Sequence, residues 1–87
     1  MTLSFPNQSR SFDKDRNAVR FTGYDGMFEV PFYIEVDALA RVLSQPLSVQ
    51  DCLTAFDAER TSILDVAREV YAHRKLTSYT LTAANFH

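Results

Sequence analysis

With 87 residues the chain has room for one hydrophobic core and a single domain over 1–87. Apolar residues make up 46% and charged residues 23%, a balance that excludes a disordered chain. A single cysteine, Cys52, excludes an internal disulfide framework, and a net charge of −2 gives no electrostatic case for nucleic acid or an anionic membrane.

The N-terminal residues show no basic cluster followed by an apolar run, so no signal peptide is expected. No stretch nears the roughly 20 apolar residues that span a bilayer. A reduced, cytoplasmic protein is the expectation. Charge is uneven: residues 1–20 carry +2, residues 21–50 carry −3 and the remainder −1. The four cations of the first segment are mixed with acids and do not form a groove that tracks phosphates.

Leu3 and Phe5 alternate with Thr2 and Ser4, which allows a short edge strand. Residues 6–15, rich in Ser, Asn, Asp and Arg, read as a surface segment with turns. Asp25-Gly26 is the clearest local signal, a turn pair between two apolar-alternating stretches. Folding there places Phe21 opposite Val30 and Val19 opposite Phe32, all on one side of the ribbon. The other side then pairs Thr22 with Glu29, Arg20 with Pro31, Ala18 with Tyr33 and Arg16 with Glu35. Pro31 has no N–H to give a partner strand, so a four-residue loop over Tyr24 to Met27 is preferred, which turns Pro31 outward.

Asp37 reads as the N-cap of a short helix through Leu43, ended by Gln45-Pro46. Ser48 opens a second helix, with Asp51 at the third helical position. From Val49 to Tyr71 the apolar positions follow a period of 3.6, with Arg60 standing where an apolar residue is due. A continuous helix over 48–75 would be about 40 Å long, against a diameter of roughly 30 Å for a compact chain of this size. It must bend, break or overhang, and a second capping pair, Ser62 and Asp65, points to residues 57–62. Tyr79, Leu81 and Ala83 alternate with polar residues as a half-buried strand, and Phe86 tucks in the tail. The order predicts an α+β fold of two layers: a β-hairpin, two helices (the second long) and a C-terminal strand, with one small sheet packed on the helices.

Taken together, Leu3-Ser-Phe5-Pro, Val19-x-Phe21, Ala38-Leu39 and Phe56-x₃-Arg60-x₂-Ile63-x₃-Ala67 resemble domain-of-unknown-function family 1488, over nearly the whole chain. That family consists of small bacterial proteins. The resemblance implies a stand-alone cytoplasmic protein and brings no activity or catalytic residue with it.

Candidate chemistry is sparse. Arg60 crosses an apolar face, so it either snorkels to Asp57 or a strand carboxylate, or clamps an anion with its planar fork of donors. Cys52 lies on the apolar stripe with no activating base in view, and reads as a small hydrophobe. His73 and His87 do not make a metal set, and His73 serves the helix dipole. Glu29 and Glu35 share a sheet face but stand about 20 Å apart, too far for a glycosidase-like pair. Gly23 and Gly26 belong to one turn and form no phosphate loop. No catalytic residue, metal or cofactor is expected. The outer face of the sheet, with Tyr33, Pro31, Ala18 and Thr22 flanked by Arg20 and Glu29 and with Tyr24 and Met27 at the turn, is an apolar patch worth covering. The edge beside Pro31 is a second candidate surface, for a partner strand. The expected function is a non-enzymatic interaction or regulatory module that binds itself as a dimer or another protein, with Arg60, Arg20 and Tyr33 as binding residues. The alternative is a small-ligand or anion binder using Arg60 near the helix–sheet seam.

Overall fold

A computed structural model describes residues 3–6, 9–39, 48–73 and 76–86. Strands β1 (Leu3–Ser4), β2 (Arg10–Asp13), β3 (Ala18–Asp25) and β4 (Phe28–Glu35) come first. Helices α1 (Val36–Leu39), α2 (Val49–Ala58) and α3 (Arg60–His73) follow, then β5 (Tyr79–Leu81) and a 3-10 turn over Ala83–Asn85. The fold is α+β: one five-stranded mixed sheet with helices. β3 and β4 form its antiparallel centre, β1 and β2 both pair with the outer side of β3, and β5 runs parallel to β4.

The hairpin turns one residue later than expected. Asp25 pairs with Phe28, so the loop is the two residues Gly26 and Met27, not four residues from Tyr24. Gly26 takes φ +65, the left-handed value that the first central position of a II′ turn requires, and glycine adopts it without a Cβ clash. The register therefore slips by two: Phe21 pairs with Phe32, Val19 with Ile34, Thr22 with Pro31 and Arg20 with Tyr33. A shift of two conserves the faces, so the apolar side stays apolar. In a two-residue hairpin the pair flanking the loop is hydrogen-bonded. Alternation then makes Thr22–Pro31 a non-bonded pair, where a missing N–H costs β3 nothing.

Residues 10–13, expected as loop, form an edge strand. Asp13 Oδ1 accepts from the N–H groups of Asp15 (3.0 Å) and Arg16 (3.2 Å), and Asn17 takes φ 51, which closes the turn back into β3.

The slipped register builds the core in cross-strand rows. Phe21, Phe32 and Tyr79 lie side by side on β3, β4 and β5, with ring centroids 5.4 and 5.1 Å apart. Phe56 of α2 stands 5.1 Å from Phe21, and Tyr71 of α3 stands 5.6 Å from Tyr79. The next row is Phe12, Val19, Ile34 and Leu81. Cys52, Ala55, Phe56, Ile63 and Ala67 close over these rows from the helix side.

The expected long helix breaks at Glu59. The Glu59 N–H donates to the Ala55 and Phe56 carbonyls, and its own carbonyl accepts from the Ile63 N–H at 2.9 Å, so one residue ends α2 and starts α3. Ser62 and Asp65, expected as the new cap, instead lie inside α3. Ser48 does cap α2, its Oγ accepting from the Asp51 N–H at 3.1 Å. The break lets two short helices share a molecule whose longest dimension is 37 Å. Asp37 lies inside α1 rather than before it. The expected continuation through Leu43 and the Gln45-Pro46 stop lie outside the described residues. Ala83, expected in the last strand, belongs to the 3-10 turn, and Phe86 packs against the core as expected.

Candidate functional site

Arg60 emerges at the start of α3 and takes the structural option. Its Nη2 donates to Asp57 Oδ1 at 2.8 Å, and its guanidinium stacks 4.9 Å from the centre of the Phe56 ring. A second cation reaches the same carboxylate. Arg10, facing the helices as the register partner of Phe21, donates from Nε to Oδ1 at 3.0 Å and from Nη2 to Oδ2 at 2.8 Å. The two guanidinium groups hold the Asp57 carboxyl below the usual carboxylate range, the bond from Arg10 being the larger cause. This cluster pins edge strand β2 to the α2–α3 break.

Arg20 and Tyr33 are cross-strand partners on the sheet face opposite that of Phe21 and Phe32. The structure thus brings these two together and leaves Arg60 on the other side. Arg20 lies 3.8 Å from Glu29, and the Tyr33 ring is covered by the Arg16 guanidinium at 4.3 Å. Ala18, expected in the exposed patch, is 1% exposed, so it contributes no apolar surface. Apolar exposure concentrates at the hairpin tip instead, where Met27 is 97% and Phe28 77% exposed. Met27 was legible as a turn residue, whereas Phe28 has core-face parity and only the observed register shows that it overhangs the core.

The edge beside Pro31 is short. β5 pairs with Phe32 to Ile34 only, and between the tip and that ladder an incoming strand would find the N–H of Glu29 and the carbonyls of Glu29 and Pro31. Cys52 is buried, and burial first and the Asp51 charge second push its thiol up, away from the thiolate. The described residues contain no group of three or more His, Cys, Asp or Glu side chains placed to hold a metal ion. No helix among them is long and apolar enough to cross a membrane.

Besides Arg10–Asp57, sequence reasoning missed a second long-range polar contact. The Tyr71 hydroxyl donates to Asp25 Oδ2, tying the last turns of α3 to the end of β3. This bond first, with desolvation, raises the Tyr71 hydroxyl from 10.0 to about 12. The sign follows from proton binding. Below pH 10 both states hold the proton and the contribution is complete. Between 10 and about 12 only the folded state holds it, so stability falls as pH rises through that window. Tyr71→Phe is expected to lower stability at neutral pH and to flatten the fall above pH 10, read from urea midpoints of both proteins across that range.

These features define the class: a small two-layer α+β domain with an apolar hairpin tip. The chain belongs to the family described as protein of unknown function (DUF1488), whose model matches residues 3–82. Searches of curated proteins and of solved structures found no match.

Proposed function

We propose that this chain is a non-enzymatic interaction module of the bacterial cytoplasm that works through the β3–β4 hairpin tip, on a second copy of itself or on another protein. The exposure of Met27 and Phe28 carries this reading. The second central position of a II′ turn makes no demand for a large apolar side chain, and a tip residue that is 77% exposed gains little folding stability from being Phe. The buried, protonated Cys52 supports the non-enzymatic part, because a nucleophile must be reachable as thiolate. An anion site on Arg60 has less support, since that guanidinium is engaged by Asp57 and Phe56.

The double variant Met27→Ser, Phe28→Thr is expected to keep its unfolding midpoint, with stability changed by no more than about 0.5 kcal/mol. It is expected to lose association, read as mass by light scattering across concentration and as co-purifying protein in native lysate. A parent chain that stays monomeric and retains no protein, or a variant that associates as well as the parent, overturns the reading.

A further inference from the structure

Met27 occupies the second central position of the β3–β4 turn and is 97% exposed. The turn stands clear of the rest of the molecule, since a Cβ built on the neighbouring Gly26 would meet no atom within 4 Å. The thioether of Met27 is therefore open to solvent. Cys52, the chain's one cysteine, is 4% exposed, and burial keeps its thiol protonated. A small oxidant that reaches the folded chain thus finds a thioether at the tip and no accessible thiolate. Phe28 beside it is exposed as well, so turning the Met27 sulfur from apolar to polar alters half of the apolar tip.

We propose that Met27 is a reversible oxidation site, with a peroxide as the oxidant, and that its oxidation state sets whether the hairpin tip makes apolar contacts. The step transfers one oxygen and two electrons. The sulfur lone pair attacks one peroxide oxygen, the O–O bond breaks as the S–O bond forms, and the other oxygen leaves as water with both protons. Sulfur is oxidised and the peroxide is reduced. A thiol-dependent sulfoxide reductase reverses the change: two thiols become a disulfide and the oxygen leaves as water. The sulfoxide oxygen accepts hydrogen bonds from water, and an apolar partner surface strips that water without replacing it. This consequence rests on the reading of the tip as the contact surface, whereas the reactivity of the sulfur does not.

The test exposes the full chain to hydrogen peroxide, follows Met27 by peptide mass spectrometry and reads self-association by light scattering across concentration. Met27 is expected to oxidise at the rate of free methionine in the same solution, with the unfolding midpoint unchanged. Association is expected to weaken by about tenfold, the scale of burying one polar group without a partner. It is expected to return after treatment with the two methionine sulfoxide reductases, one for each epimer. Met27→Leu removes the sulfur, and that variant, compared only with itself, is expected to associate equally before and after peroxide. Oxidation of Met27 far slower than of free methionine, an oxidised chain that associates as the reduced one does, or a Met27→Leu chain that peroxide weakens equally overturns the proposal. A reduced chain that does not associate overturns the tip reading and the switch with it, and the oxidation rate then decides the site alone.

Discussion

Phe32→Ala is expected to destabilise the fold by about 3–5 kcal/mol, the range for truncating a fully buried aromatic ring. Phe32 has 0% exposure and sits at the middle of the aromatic row, 5.4 Å from Phe21, 5.9 Å from Phe5 and 5.1 Å from Tyr79. Three strands and the N-terminal segment therefore meet on one side chain. The void could not collapse without drawing β5 towards β3, and β4 lies between them. A domain of this size holds only about 5–15 kcal/mol in all, so the substitution consumes a large share of it. Urea denaturation followed by far-ultraviolet circular dichroism checks it. A loss under about 1.5 kcal/mol would mean that the row is not the packing centre.

The same row shows what could be read in advance. Alternation identified Val19, Phe21, Val30 and Phe32 as one apolar side, and they are all buried, because a period of two survives any even slip in register. It could not decide which of them are opposite. That depended on one turn, and Asp25-Gly26 fits the Asp-Gly signature of a I′ loop just as Gly26-Met27 fits a II′ loop. Pro31 held the deciding information, since only some registers leave its missing N–H harmless. The observed register satisfies it with the shorter loop, one residue later.

β2 escaped notice for a different reason. Arg-Ser-Phe-Asp contains one apolar side chain, and an edge strand needs little more than hydrogen bonds to β3. The helix break was legible from length alone, because a straight rod of 28 residues overhangs a globule of this size. Arg60 was legible as an anomaly in the 3.6 period, and its partner Asp57 lies three residues earlier, across the break at Glu59. Arg10 to Asp57 and Tyr71 to Asp25 were not legible, because each joins groups more than forty residues apart that only the finished fold brings together. The exposed Phe28 was hidden by its own parity, which matches the core although its level along the strand does not.

Gly23→Ala is expected to cost about 1–3 kcal/mol, as overpacking of a tight core does. Gly23 is buried on the helix-facing side of β3, paired with Val30. A Cβ built there would stand 2.8 Å from Phe5 Cε1 and 3.0 Å from Leu3 Cδ1, inside the distances that real Cβ atoms keep. No left-handed backbone is involved, so the effect is one of volume: the absent side chain is the space that Leu3 and Phe5 fill. β1 has two residues and pairs only with Asp25 and Tyr24, which makes it the element with least to hold it when pushed. The added methyl is therefore expected to displace β1 while the β3–β4 ladder stays in place. Hydrogen exchange reads this directly, as faster exchange around Leu3 to Phe5 and unchanged protection in β4. A double-mutant cycle with Phe5→Ala separates volume from any intrinsic strand preference of alanine. If the two side chains compete for one space, Gly23→Ala costs less when Phe5 is already small, and the coupling exceeds the roughly 0.5 kcal/mol expected of independent sites. Equal costs in both backgrounds would mean that the glycine is not there to seat Phe5.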